Sequence, residues 1–275
     1  MQKEIRWLLK EKYHWTEAEI LLNQRLPLPE ETFDIKRLEQ GEPVAYVIGK
    51  TEFLGCVIDL SLRPLIPRPE TEYWVNQAIK GKNRVLPDSG STRMVKALDL
   101  CCGSGCIGIA LLKHLSNVSV DFVDIDDNAL KQTEINLKLN LIRGDPRSIR
   151  DNPLQGLSLI KSDLFSSLKG RRYDCIFCNP PYVNPNGKFD KNLKFEPKEA
   201  LFAKDNGMFF INKILRGFTK YLKPNGILYL EFGDDQKVLI ERKLKLLERS
   251  KRRDFSFHKD QFGKWRYLKI EEFMR

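Results

Sequence analysis

Histidine is scarce in this 275-residue chain, which has only His14, His114 and His258. With no H-E-x-x-H and no G-x-S-x-G, the zinc-protease and serine-hydrolase arrangements are excluded. No apolar run approaches the roughly 20 residues that a membrane span requires, so no membrane partner is expected. The amino terminus lacks the apolar core of a signal peptide, and Glu4, Glu11, Glu17 and Glu19 spoil a transit-peptide reading. Cys56, Cys101, Cys102, Cys106, Cys175 and Cys178 are six thiols in a chain large enough to need no disulfide staples. Cys175 and Cys178 imitate half of a metal site, but on a strand residues three apart face opposite sides. No metal is expected. Repeats and low-complexity tracts are absent as well.

Positive charge is in surplus. Lys and Arg number 47 against 37 Asp and Glu, a net charge of +10 with pI near 9.2. That balance suits an anionic partner such as RNA, DNA or a ribosome-associated factor, and equally a Lys-rich solvated surface.

The first sixty residues read as a small helical unit. Ile5, Leu8 and Leu9 give one amphipathic helix, and Thr16-Glu17-Ala18-Glu19 is a capping box opening a second. A third helix from Glu30 stops at Gly41. Residues 61–93 are expected as a connecting ribbon and linker, continuing an extended stretch that starts at Phe53, with a loop from Gly81 to Arg93. From residue 94 to 275, strands alternate with helices, the pattern of a mostly parallel α/β sheet. Strands are expected over Val95–Leu100, Val118–Val123, Leu157–Lys161, Tyr173–Cys178 and Ile227–Phe232, and a final pair within Asp254–Ile270. Helices are expected over Cys106–His114, Asp127–Leu141, Met208–Leu222 and Gln236–Ser250, the third of them ended by Pro224-Asn225-Gly226.

The most informative residues are Asn179-Pro180-Pro181-Tyr182, directly after the apolar strand Tyr173–Cys178. A diproline cannot continue a strand, because each ring fixes φ and removes a donor. The chain therefore leaves the sheet with Asn179 at its carboxyl edge, where open α/β sheets bind ligands. The Asn179 oxygen and the Pro180 carbonyl can each accept one hydrogen of a planar –NH2 group, with the Tyr182 ring against its plane. An ordinary proline-rich turn would look the same in these four residues alone.

A second constellation lies upstream. Cys101-Cys102-Gly103-Ser104-Gly105 joins the first sheet strand to its helix, with small residues that let a ligand approach the backbone. G-x-G-x-x-G is not matched, which argues against a dinucleotide. Asp124 ends the second strand, where an acid would bind ribose hydroxyls, and Asp163 after the third could face an adenine amino group. An adenosyl ligand without phosphates fits this set. S-adenosylmethionine is the common one, and methyl transfer to nitrogen follows.

The chain resembles the HemK-type protein-(glutamine-N5) methyltransferases of peptide-chain release factors over nearly its whole length. The likeness is carried by Gly41 to Gly49, Glu52-Phe53-Leu54-Gly55, Leu65-Ile66-Pro67-Arg68-Pro69-Glu70-Thr71-Glu72, Asn179 to Tyr182, Glu196 to Leu201, and Leu230 to Gly233 with Gln236. The resemblance implies a Rossmann-like class I methyltransferase sheet with a small N-terminal helical domain that docks the release factor. It implies that Cys101 to Gly105, Asp124, Asp163, Leu164 and Asn179 line the methyl donor. Asn179, Pro180, Pro181 and Tyr182 would hold the glutamine of a Gly-Gly-Gln loop, and Pro67 to Thr71 would wall the pocket. Cys101 stands where the family often has glycine, and Leu164 replaces an aromatic residue near adenine in some relatives. The basic segment Arg143 to Gly156 looks like an insertion.

Two other functions compete. An amino-methyltransferase acting on adenine, cytosine or guanine in DNA or RNA would use the same turn on a flipped base, and the net charge favours it. Against it stand the absence of an evident recognition domain and the resemblance of the first sixty residues, so nucleic acid is not required. An inactive RNA- or ribosome-binding module is the other. The helical amino terminus is like that of bacterial and organellar enzymes, and the basic pI favours a mitochondrial matrix protein over a bacterial cytoplasmic one.

Overall fold

The computed structural model describes residues 2–21, 29–81, 93–141, 157–187, 189, 191–247 and 253–272. The expectations for Gly81–Arg93 and Arg143–Gly156 fall almost entirely outside them. The amino-terminal helices are α1 (Gln2–Tyr13), α2 (Glu17–Leu21), α3 (Pro29–Glu39) and α4 (Val44–Ile48). The capping box forms: the Thr16 amide donates to Glu19 Oε2 at 2.7 Å, and the Glu19 amide donates to Thr16 Oγ1 at 3.3 Å. Leu8, Leu38, Val44 and Val47 make a small core of their own. Lys12 Nζ and the Tyr13 hydroxyl both donate to buried Asp34 Oδ2, at 2.6 and 2.8 Å, tying α1 to α3.

A hairpin follows, β1 (Lys50–Phe53) and β2 (Cys56–Asp59), turning at Leu54-Gly55. Residues 61–93, expected as ribbon and linker, contain the helix α5 (Pro69–Lys80) instead. Its signals are local: Pro69 in the first turn, Glu70 and Glu72 beside the positive helix end, and Trp74, Val75 and Ala78 buried on one side.

The main sheet comprises β3 (Val95–Leu100), β4 (Val118–Asp124), β5 (Ser158–Lys161), β6 (Tyr173–Cys178), β7 (Leu222–Glu231), β8 (Arg253–Lys259) and β9 (Trp265–Glu272). Their order is β5-β4-β3-β6-β7-β9-β8, parallel except where β9 pairs antiparallel with β7 and β8. Between them run α6 (Cys106–His114), α7 (Asp127–Leu141), α8 (Lys198–Leu201), α9 (Phe209–Gly217) and α10 (Lys237–Leu247). Both faces of the sheet are covered, so successive residues of β6 enter opposite cores. Cys175 and Phe177 pack with α5 and α6, whereas Ile176 and Cys178 pack with α9 and α10. The two cysteines of the apparent half-site thus lie on opposite sides. Among the described residues no group of three or more His, Cys, Asp or Glu could hold a metal ion. No helix of theirs is long and apolar enough to cross a membrane.

Two details depart from the periodicity. Pro224-Asn225-Gly226, expected between a helix and a strand, lies inside β7. The ladder from β6 passes from Tyr173–Leu222 to Cys175–Ile227, and Asn225 takes φ 62° in the irregularity between. The helix before it ends at Gly217, five residues short of the expected Leu222.

An amide ladder fastens α7 to the hairpin. Asn140 and Asn136, four residues apart on one helix face, each pair with a backbone N–H and C=O of β2. They accept from Val57 and Asp59 at 3.0 and 2.8 Å, and donate back at 2.8 and 3.2 Å. Gln132, one turn earlier, accepts the Leu62 amide at 2.8 Å. These side chains take the place of a neighbouring strand.

Candidate active site

At the end of β3 the chain turns sharply into α6. Cys101, Gly103 and Gly105 take φ of 61°, 54° and 77°, three left-handed residues within five. Glycine is demanded at 105, where a Cβ would lie 2.7 Å from Thr133 Cγ2. Cys101 has the Cβ and carries the strain, about 1–2 kcal/mol for such a conformation. The turn is held from α7: Thr133 Oγ1 donates to the Gly103 carbonyl at 3.1 Å and Asn136 Nδ2 to the Ser104 carbonyl at 3.0 Å. The helix that grips the hairpin also shapes the glycine turn.

Asp124, the last residue of β4, faces that turn. Its Oδ2 accepts the Gly103 amide at 2.9 Å and its Oδ1 the Asp126 amide at 3.0 Å. Burial pushes its carboxyl up, against the pull of these donors. Deeper still, Asp99 on β3 is held up to about 7 by burial, with the Gly108 amide as its one donor and Oδ1 unpartnered among the described residues.

A cavity of about 790 Å³ opens over these strand ends. Of the residues expected to line it, Cys101, Cys102, Gly103, Ser104, Asp124, Asp163, Leu164 and Asn179 do so, and Pro181, expected against the glutamine, lies on this wall instead. Gly105 is not on its wall, being the left-handed residue before α6. Asp163 is half exposed, with Lys213 Nζ 3.3 Å away, and Leu164 is buried at φ 49°. The donor chemistry fits an adenosyl ligand without phosphates. The turn itself carries no cation, and Asp124 sets an acid beside it, which repels phosphate and suits hydroxyl groups. Ile107, Ile125 and Leu164 supply apolar wall.

Beyond Asn179 lies a smaller cavity of about 200 Å³, bordered by Pro180, Tyr182, Arg68, Glu231 and Arg266. Asn179 borders both cavities. The four-residue turn is therefore a partition, with Pro181 on the larger side and Pro180 and Tyr182 on the smaller. Asn179 Nδ2 donates to Thr71 Oγ1 at 3.2 Å. Its Oδ1 and the Pro180 carbonyl accept no hydrogen bond from any described residue. Both oxygens belong to residues that border the smaller cavity.

Behind the partition stands a residue that sequence reasoning had passed over as a site residue, Glu231 at the end of β7. It is fully buried and accepts from Trp74 Nε1 at 2.6 Å, Thr71 Oγ1 at 2.7 Å and the Tyr182 hydroxyl at 2.9 Å. Burial pushes its carboxyl up, and burial with the Glu231 charge pushes the Tyr182 phenol up as well. Tyr182 thus keeps its proton and serves as a donor. The Pro67–Thr71 stretch is fixed at its other end by Glu196, which accepts from the Ile66 amide at 3.1 Å and from Arg68 at 2.5 Å. The available signal was an acid in the otherwise apolar run Ile227–Phe232.

Comparison with known proteins gives the geometry a family. Residues 83–211 match the profile of the methyltransferase small domain, and residues 2–49 that of the PrmC N-terminal domain. A release factor glutamine methyltransferase of Flavobacterium psychrophilum is 35% identical over 238 residues, covering 85% of this chain and 77% of that protein. A ribosomal protein uL3 glutamine methyltransferase of Xanthomonas campestris is 35% identical over 209 residues, covering 75% and 62%. The fold is also that of the N-terminal domain of human METTL16 in complex with SAH, with TM-score 0.53, 16% identity and coverage of 99% and 95%. The chain belongs to the release factor glutamine methyltransferase family, enzymes that use S-adenosylmethionine to methylate the side-chain amide nitrogen of glutamine.

Proposed function

We propose that the substrate is the glutamine of the Gly-Gly-Gln loop of a peptide-chain release factor, entering through the smaller cavity. The observation that carries this is a pair of oxygens that accept no hydrogen bond from any described residue, Asn179 Oδ1 and the Pro180 carbonyl, on two residues that border the smaller cavity. Cys101 to Ser104, Asp124, Asp163 and Leu164 would hold S-adenosylmethionine, which supplies an electrophilic methyl group on sulfonium. A carboxamide nitrogen is a poor nucleophile because its lone pair is delocalised into the carbonyl. With both N–H bonds held by Asn179 Oδ1 and the Pro180 carbonyl, the lone pair can face the methyl carbon, and orientation of this kind supplies several kcal/mol. The same oxygens stabilise positive charge as it grows on nitrogen. As the nitrogen–carbon bond forms, the donor's methyl–sulfur bond would break and leave a neutral thioether, and the nitrogen would pass one proton, acidic only as the bond forms, to water.

Release factor is favoured over uL3 by the amino terminus. The release-factor relative aligns over 238 residues against 209 for the uL3 enzyme, and residues 2–49 match the PrmC N-terminal profile. Residues 1–60 are accordingly assigned to docking the release factor and 94–275 to catalysis, with 61–93 between them adding helix α5 behind the Asn-Pro-Pro-Tyr turn. Mass spectrometry of release factor and uL3, each incubated with enzyme and donor, tests the reading. One added methyl on the release-factor tripeptide glutamine is expected, and methylation of uL3 alone overturns it. Asn179→Ala should abolish turnover while donor affinity stays within about a few-fold. The mitochondrial matrix remains our proposed compartment, argued from the +10 charge, although the relatives named above come from bacteria. A tagged chain absent from the organelle would move it to the bacterial cytoplasm.

A further inference from the structure

Glu231 is the common acceptor of three donors, two from α5 and one from the Asn-Pro-Pro-Tyr turn. Trp74 Nε1 and Thr71 Oγ1 both reach its Oε2, and the Tyr182 hydroxyl reaches its Oε1. An indole N–H has no accepting capacity, so Oε2 must be an acceptor. Thr71 has a single hydroxyl hydrogen, and that hydrogen is committed to the same oxygen at 2.7 Å. Toward Asn179, 3.2 Å away, Thr71 can therefore offer only lone pairs. The amide group opposite it has to be the NH2, which turns Oδ1 toward the substrate side. The reverse orientation would set two acceptors against each other at hydrogen-bond distance, with Thr71 only 2% exposed.

We propose that Glu231 and Thr71 form a polarity relay that locks the Asn179 side chain with its oxygen, not its nitrogen, facing the incoming carboxamide. The inference rests on the acceptor role of Asn179 proposed above and extends it to two residues remote in sequence. Glu231 borders the smaller cavity and Thr71 the larger, but the relay acts through Asn179, so in it both are positioning residues. Their function is to select one of two amide orientations of nearly identical shape. Only one accepts an N–H, whereas the other points an NH2 at an NH2.

Two substitutions at Thr71 separate the relay from packing. Thr71→Val keeps the branched shape and removes the hydroxyl; Thr71→Ser keeps the hydroxyl and removes the methyl. The relay requires Ser to turn over near the wild-type rate and Val to lose kcat by roughly tenfold to a hundredfold. Donor affinity, measured by calorimetry, should stay within about twofold in both, which also certifies that each variant is folded. The opposite order, with Val active and Ser impaired, would assign Thr71 to packing and overturn the proposal. Equal rates in all three proteins would overturn it too. Asn179→Ala is assayed beside them, with release factor and uL3 both offered as substrate. If Asn179→Ala turns over normally, the acceptor reading has failed. If it is inactive while Thr71→Val is unimpaired, only the relay has failed.

Discussion

Gln236 Nε2 donates to the Tyr182 carbonyl across 2.9 Å, joining the segment after β7 to the last residue of the Asn-Pro-Pro-Tyr turn. The same side chain accepts the Gly233 amide through Oε1 at 2.9 Å and donates to the Asn206 carbonyl at 3.3 Å, all at 2% exposure. Gly207 completes the contact, since a Cβ there would sit 2.1 Å from the Tyr182 oxygen. The turn is thus braced from behind by groups that never meet a ligand. Gln236→Ala should leave buried backbone groups unpaired, at a cost of about 1–3 kcal/mol. Scanning calorimetry should show a lowered Tm, and kinetics a larger loss in kcat than in donor affinity. An unchanged Tm would mean that water replaces the amide.

Cys101 carries a left-handed φ of 61° that glycine would adopt freely. Cys101→Gly relieves about 1–2 kcal/mol of strain while giving the unfolded chain more freedom, so its net effect on stability is small. Cys101→Val places a β-branched residue in that conformation and should destabilise by about 1–2 kcal/mol or more. Urea midpoints for the two variants should therefore diverge. Equal midpoints would show that the turn relaxes around residue 101.

Asp99 gives stability a pH dependence with a definite sign. Burial, opposed by the Gly108 amide and reinforced by the Asp124 charge, raises its folded value from 3.8 to about 7. Between those values the folded state binds more protons than the unfolded state, so stability is lost as pH rises from about 4 to 7. Asp99→Asn removes that contribution. Urea unfolding of both proteins at several pH values should show the variant gaining on the wild type across this window, by an amount on the order of a few kcal/mol. Parallel curves would mean that Asp99 ionises normally in the fold.

The sheet strands and their intervening helices were legible because local pattern and tertiary role agree. Val95–Leu100 and Tyr173–Cys178 are mostly apolar, interrupted only by Lys96, Asp99 and Asp174, and both lie buried between helices. Cys106–His114 and Asp127–Leu141 begin after turn residues and carry helical spacing to their ends. Asn179 and its neighbours declared themselves because a diproline after a buried strand leaves the backbone few options. The α5 helix was hidden by Pro67 and Pro69, which read as linker. The proline-glycine segment of β7 was hidden for a related reason, since a bulge beside an intact ladder has the composition of a loop.

The amino-acid order alone determined that an amide and a proline carbonyl stand at a sheet's carboxyl edge, near a glycine turn faced by the acid Asp124. Those are consequences of backbone chemistry over a few residues: fixed φ, missing donors and alternating faces. Which way the amide of Asn179 points was decided only in three dimensions. Thr71 and Glu231 are 160 residues apart and meet through a 2.7 Å hydrogen bond, because α5 lies against the sheet where β7 ends. The direction of a hydrogen bond between distant side chains has no local signature, for it depends on every donor sharing the same buried acceptor.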